Sequence, residues 1–269
     1  MKKHRIAKLL KTDVPAPHDL LWQALLTWPE KPGKALLRSA EAQILGNLKW
    51  KSPVLDFGCG DGEVTALLQE HIDVGLDLNF NETAKALSTA IYGSVINGNG
   101  CYLPFPSSYF GTIISNSVLE HVDNLELVLS EIFRTLQSGS YFLFTTPSPH
   151  KEDNLFFSQI DGDAYKEYFN NYWEHKNCLP EKSWEDLLEK VGFTSIEISY
   201  YENWETSQLI DLLYSVRLKY VEREGYSLPG DKVKEVWIRL IYNLLYPYFS
   251  KEADSDSGGF IVKAFKPAL

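Results

Sequence analysis

Apolar positions change their period several times along the chain. Up to about residue 50 they recur at helical spacing. Leu20, Leu21, Ala24 and Leu25 form a short stripe, Pro29, Pro32 and Gly33 interrupt it, and a second helix is predicted over Ala35–Leu48 with Leu36, Leu37, Ala40, Ile44 and Leu48 on one face. From Val54 short apolar runs of strand length take over. Pro53–Phe57, Asp73–Asp77, Ser94–Ile96, Thr112–Ser115 and Tyr141–Thr146 read as strands, with Glu63–His71, Thr83–Ala90 and Leu125–Leu136 as the helices between them. That alternation predicts an α/β fold in which helices cover both faces of a parallel sheet. Further on, Glu181–Val191 reads as a helix, and Ser195–Tyr201 and Gly259–Phe265 read as strands.

Nearly 60 residues separate those last two strands, from Tyr201 to Gly259. Loops beyond about 12–15 residues usually carry structure or function of their own, and two helices are predicted there. On the second, Val233, Val236, Trp237, Leu240, Ile241, Leu244 and Leu245 follow i, i+3, i+4, i+7 spacing. Residues 151–250 hold 20 of the 36 aromatic side chains. The stripe reads first as packing against the domain and second as a lid or membrane-surface helix. The aromatic excess fits core, a substrate wall or a dimer contact. For the segment as a whole, a cap over a ligand and a homodimer interface stay equally open.

Composition removes several function classes. The chain has 269 residues with 26 Lys+Arg against 36 Asp+Glu, a net charge of −10, so it has no cationic excess with which to bind a phosphate backbone, and no nucleic-acid partner is expected. The longest apolar stretch, Val236–Phe249, is interrupted by Arg239 and Asn243 and falls short of the roughly 20 residues a membrane span needs. No apolar run follows Met1-Lys2-Lys3-His4-Arg5, so no signal peptide is expected. Cys59, Cys101 and Cys178 stand apart, which suits a reducing compartment, and no Cys/His cluster has metal-ligand spacing. The expectation is a cytoplasmic protein without a metal.

The most informative segment is Val54-Leu55-Asp56-Phe57-Gly58-Cys59-Gly60-Asp61-Gly62-Glu63, a strand running through three alternating glycines into a helix. Such turns bring backbone close to a ligand. A dinucleotide fingerprint would read G-x-G-x-x-G, but Glu63 fills the last glycine slot, where its carboxylate would repel a pyrophosphate. A nicotinamide-dependent oxidoreductase is therefore disfavoured. Asp56 and Asp61 instead suit a cationic or ammonium-bearing ligand.

Asp56-Phe-Gly58-Cys-Gly60-Asp-Gly62 resembles the first motif of class I S-adenosylmethionine-dependent methyltransferases, and further landmarks follow in order. Val74-Gly75-Leu76-Asp77-Leu78 resembles the second strand, whose terminal acid binds the ribose hydroxyls; Asp77 lies 19 residues past Gly58, near the ~20 at which an acid reaches a ribose. Gly98-Asn99, four residues before Leu103-Pro104-Phe105, resembles the adenine-contacting turn, with Asn99 where Asp is usual. Phe110-Gly111-Thr112-Ile113-Ile114-Ser115-Asn116 resembles the fourth strand, with Gly111 where Asp is common, and Val118-Leu119-Glu120-His121-Val122 the helical signature after it. Leu136-Gln137-Ser138-Gly139-Ser140 is a looser match to the turn before the fifth strand. The resemblance covers roughly residues 35–200 and the final strand, and is nearest the subgroup that methylates small molecules.

This resemblance implies a Rossmann-like, seven-stranded, mostly parallel sheet with an antiparallel last strand, helices on both faces and a helical insertion before that strand. It implies an N-terminal helical cap over 1–50, a cofactor-binding core over 51–201, the insertion over 202–257 and the final strand over 258–269. The cofactor would be S-adenosylmethionine, leaving as S-adenosylhomocysteine, held by Asp56, Gly58, Gly60, Asp61, Asp77, Leu78, Asn99, Gly100 and Asn116. Methyl transfer needs a base only when the nucleophile carries a proton to be removed, and His121 is the candidate. His150 and His175 flank the family's acceptor region, where His150, Tyr172 and Trp173 are expected to meet a small-molecule acceptor. An idle cofactor-binding scaffold is the competing reading.

Overall fold

The computed structural model describes residues 19–69, 71–224, 231–249 and 251–268, without side chains for 215–224 and 231–233. Residues 1–18 of the expected N-terminal cap, with its start Met1–Arg5, and the side chain of Val233 lie outside the described residues. Seven strands form one sheet: β1 (Val54–Phe57), β2 (Ile72–Asp77), β3 (Tyr92–Asn97), β4 (Phe110–Asn116), β5 (Leu136–Pro147), β6 (Thr194–Tyr201) and β7 (Gly259–Lys266). Their order is β3-β2-β1-β4-β5-β7-β6. The first five pair in parallel, and β7 inserts antiparallel between β5 and β6.

Central strands are apolar on both sides because both faces are covered. Ile113 of β4 packs with Phe142, Phe144, Trp184 and Leu188 on one face, while its neighbour Ile114 packs with Leu45, Leu143 and Ile261 on the other. Gly111 has a steric cause, since a Cβ there would lie 2.5 Å from the carbonyl oxygen of Lys51. The flanking helices include α1 (Leu20–Thr27), α2 (Pro32–Gly46), the single turn α3 (Glu63–Ala66), α4 (Phe80–Ser88), α5 (Leu125–Thr135), the short α6 (Ser158–Asp161), α7 (Asp163–Trp173) and α8 (Glu181–Val191), with a 3₁₀ turn at Leu119–His121.

Two predicted helices differ from what folds. The helix expected over Glu63–His71 ends at Ala66, because the next N–H groups close i→i+3 bonds, Leu67 to Val64 and Leu68 to Thr65. On α2 the deepest side chains are Ala35, Leu36, Ser39, Glu41, Ala42 and Leu45, so the buried face is rotated by about one position from the predicted stripe.

The insertion forms α9 (Trp204–Glu224) and α10 (Asp231–Phe249). They build a second apolar cluster with α1 and α2, in which Ile210, Ile238, Ile241 and Leu245 meet Leu21, Leu25, Trp28 and Leu36. Polar ties lock the same layer: Trp237 Nε1 donates to the Pro29 carbonyl at 2.7 Å and Tyr242 OH to Asp19 at 2.5 Å. The apolar stripe of α10 divides between two faces. Ile241 and Leu245 are buried, whereas Val236, Leu240 and Leu244 are exposed.

Candidate active site

Two adjoining cavities lie at the carboxyl ends of the parallel strands, where open α/β sheets bind ligands. The first, about 580 Å³, is lined by the turn after β1, the end of β2, residues 98–101 and the segment after β4. Within it the backbone N–H of Gly60 donates to Asp77 Oδ2 at 2.9 Å, and the N–H of Asn79 donates to Asp77 Oδ1 at 2.8 Å. Gly60 has φ +53, and a Cβ built on it would meet nothing within 4 Å, so this point of the turn faces open space. Asp61 accepts from the N–H of Glu63 at 3.1 Å, an Asx turn just before α3. Leu78 also lines the cavity and is 72% exposed.

Asn99 Oδ1 accepts from the N–H of Cys101 at 2.9 Å, closing a tight turn, and Gly100 packs against the Phe57 ring. Asp56 borders the cavity but its carboxylate turns inward. Its Oδ2 accepts from Thr65 Oγ1 at 2.7 Å and Tyr92 OH at 2.6 Å, and burial outweighs these bonds to raise its pKa to about 6. Asn116 is likewise engaged, donating to Glu41 at 3.0 Å and accepting from Thr145 at 2.8 Å. Glu63, the residue that breaks the dinucleotide pattern, accepts from Trp28 Nε1 at 2.5 Å and ties the turn to the α1–α2 connection.

The second cavity, about 440 Å³, has aromatic walls. Tyr165, Tyr168, Phe169, Tyr172 and Trp173 of α7 line one side, with Phe157 before it, Ile210 and Tyr214 of α9, and Leu37 of α2. Tyr172 and Trp173, both expected to meet an acceptor, line this cavity. His150 does not: it is exposed, its N–H is bonded to Ser148 Oγ at 3.1 Å, and it lines neither cavity. Its neighbour Lys151 takes the wall position, paired with Glu202. Asp211 accepts from Tyr165 OH at 2.5 Å and from the N–H of Phe157 at 3.0 Å, fixing α7 to α9.

Arg38, Ser117 and His121 border both cavities. Behind them Glu41, 1% exposed, accepts from Arg38 at 2.7 Å, Ser117 Oγ at 3.0 Å, Asn116 at 3.0 Å and Tyr201 OH at 3.2 Å. Four donors offset the desolvation of a buried carboxylate. Ser117 sits at φ +52, a conformation that costs a non-glycine residue energy and that Thr145 supports by accepting its N–H at 3.0 Å. His121 Nδ1 lies 3.3 Å from the Glu174 carbonyl, which can only accept, so that nitrogen carries the proton. Burial lowers the pKa of His121, and lowers that of His175 to about 4; burial raises that of Glu120 to about 8.

Sequence reasoning passed over Arg38, Glu41, Ser117, Glu120 and Tyr214. The signal for the first two was present, because a charged i, i+3 pair interrupts the apolar face of α2. Tyr214 carried none beyond the aromatic excess of its segment.

A family model described as a methyltransferase domain matches residues 24–198. An uncharacterized protein of Methanocaldococcus jannaschii is 28% identical over 201 residues, covering 68% of this chain and 78% of that protein. Botryococcene C-methyltransferase of Botryococcus braunii is 28% identical over 189 residues, 61% of this chain, and the match spans 46% of that enzyme's length. Among solved structures, an S-adenosylmethionine-dependent methyltransferase of Thermotoga maritima, described as a possible histamine N-methyltransferase, shares the fold with a TM-score of 0.60 at 15% identity, covering 91% of this chain and 98% of that one. Among the described residues, no helix is long and apolar enough to cross a membrane.

Proposed function

The chain belongs to the methyltransferase-domain family and uses S-adenosylmethionine, and from that premise we propose that it methylates a small, largely apolar acceptor held in the aromatic-walled cavity. The observation that carries this reading is the shared border. Arg38, Ser117 and His121 line both cavities, so a ligand in one can meet a ligand in the other. The acceptor cavity, about 440 Å³, falls within the ~300–1,000 Å³ of small-molecule sites. The net charge of −10 supports a neutral or cationic acceptor over a nucleic acid.

We assign the larger cavity to S-adenosylmethionine. Asp77 would accept from the ribose hydroxyls through lone pairs its two backbone bonds leave free. Gly58, Gly60 and Asp61 would pass beside the methionine portion, and Leu78, Asn99 and Gly100 beside the adenine. Asp56 and Asn116 would support this shell from behind. In-line displacement forms the bond from acceptor to methyl carbon as the S–CH₃ bond breaks, leaving its electron pair on sulfur. Holding the three atoms in line supplies much of the acceleration, and His121, which borders both cavities, would meet the acceptor's nucleophile.

Residues 51–201 with 258–269 are read as the cofactor core. The described parts of residues 1–50 and 202–257 are read as the layer over the acceptor side, where α9 supplies Ile210, Asp211 and Tyr214 while α10 braces α1. The exposed Val236, Leu240 and Leu244 of α10 are where a homodimer contact would form, and light scattering of Leu240→Glu checks it. The function itself is tested by labelled methyl transfer from S-adenosylmethionine into a metabolite extract. A labelled product of low mass and apolar character is expected; label confined to protein or nucleic acid would overturn the reading.

A further inference from the structure

Three side chains with metal-binding atoms converge on the wall of the second cavity, where His121 also borders the first. Glu120, His121 and His175 each place one ligand-type atom so that all three lie within 4.8 Å of one another. A divalent cation sits about 2.0–2.2 Å from such nitrogen and oxygen ligands, so modest side-chain rotation completes the set. In sequence the trio is hidden, because His175 lies 54 positions after His121.

A second observation concerns unmet bonding capacity. Glu120 is 1% exposed, yet its Oε2 has no hydrogen-bond partner among the described residues, and neither has the buried Nδ1 of His175. Leaving buried carboxylate oxygen unpartnered is costly, and one cation would answer both atoms. The backbone prepares the arrangement. The N–H groups of Lys176 and Asn177 donate to the Glu120 carbonyl at 2.7 and 3.1 Å, and Asn177 Nδ2 donates to the carbonyls of Leu119 at 2.8 Å and Val122 at 2.7 Å. These bonds lace the segment bearing His175 to the 3₁₀ turn bearing the other two. The contact of His121 Nδ1 with the Glu174 carbonyl leaves Nε2 as the ligating nitrogen, the outer-partner pattern common among metal-bound histidines.

We propose that Glu120, His121 and His175 bind one divalent transition-metal cation, with open coordination positions facing the acceptor cavity. Two imidazoles and one carboxylate suit zinc, iron(II), cobalt or manganese better than magnesium or calcium. The use of the cation, though not its binding, rests on the acceptor reading above. An acceptor hydroxyl bound at an open position would release its proton to solvent, and its oxygen would form the O–CH₃ bond as the S–CH₃ bond breaks with the electron pair on sulfur. His121 then acts through the cation.

The test titrates the metal-free full chain with Co²⁺ and Zn²⁺, read by calorimetry and by cobalt absorbance, alongside S-adenosylhomocysteine affinity. One equivalent is expected to bind. His175→Ala and Glu120→Gln should each weaken cation binding at least tenfold with S-adenosylhomocysteine affinity within a few-fold, and His71→Ala, at an exposed site, should change nothing. No saturable binding, or binding that the two substitutions leave intact, overturns the site. Should circular dichroism show Glu120→Gln unfolded, Mn²⁺ broadening of histidine ring resonances in the wild type decides: His121 and His175 must broaden and His71 must not. Cation binding with labelled methyl found only in macromolecules would overturn the acceptor reading and keep the site. Low-mass product formation indifferent to chelator, with no cation bound, would do the reverse.

Discussion

The backbone N–H of Gly60 donates a 2.9 Å hydrogen bond to Oδ2 of Asp77, fastening the tip of the glycine turn after β1 to the acid that ends β2. The two elements proposed to hold the methionine portion and the ribose of the cofactor are thus set relative to each other before it arrives, and preorganisation of this kind lowers the ordering cost of binding.

Asp77→Ala removes the proposed ribose acceptor and two main-chain bonds together. Charge-assisted hydrogen bonds contribute about 1.5–3 kcal/mol each, so S-adenosylhomocysteine should bind at least tenfold more weakly. Loss of the bonds to Gly60 and Asn79 should lower Tm by several degrees. Calorimetry showing unchanged affinity would sink the ribose assignment.

Gly60→Val separates ligand contact from folding. A Cβ at this position meets no protein atom within 4 Å, so the substitution adds only the strain of a branched residue at positive φ, roughly 1–2 kcal/mol. A folded circular-dichroism spectrum with S-adenosylhomocysteine binding lost is expected. Retained binding would mean that the cofactor passes elsewhere.

Asp56 gives a pH signature. Burial holds its carboxyl at about 6 in the folded chain against 3.8 as its ordinary value. The folded state therefore binds the proton more tightly, and the resulting stabilisation is complete below about pH 4 and lost as pH rises through 6. Relative to Asp56→Asn, the wild type should lose roughly 1–3 kcal/mol between pH 4 and pH 7. Urea unfolding of both proteins at several pH values measures this, and a constant difference would refute it.

Tyr214 packs edge-on against Trp173, ring centroids 5.7 Å apart, and lines the aromatic-walled cavity proposed for the acceptor but not the first cavity. Tyr214→Ala should raise KM for the acceptor about tenfold or more, the effect of losing 1–3 kcal/mol of pocket contact, while S-adenosylhomocysteine affinity stays within a few-fold. Unchanged kcat/KM would remove the aromatic wall from acceptor binding.

Much of the sheet was legible because its strands are short apolar runs between turn residues, and the glycine turn and Asp77 lie at spacings that geometry requires. What escaped did so for physical reasons. α7 reads poorly as a helix since none of its side chains is buried in protein; its aromatic face looks onto a cavity, which leaves no core-facing stripe. His175 meets Glu120 through backbone bonds made by Lys176 and Asn177, which no side-chain pattern encodes. His150 points outward because a turn closed by Ser148 directs the chain past the cavity. The stripe on α10 was visible, but its division into a packed and an exposed face depends on where α1 lies.

Helix α2 has one further consequence. Its Arg38 touches both ligand spaces, and its outer side meets α9, where a Cβ on Gly33 would lie 3.1 Å from the Ile210 carbonyl. A single rigid body therefore reports on both occupants. Any displacement of α2 that one ligand favours must alter affinity for the other, and thermodynamic reciprocity makes the factor identical in both directions. Heterotropic coupling through this helix is therefore the expected outcome, measurable as the ratio of S-adenosylhomocysteine dissociation constants with and without the methylated product.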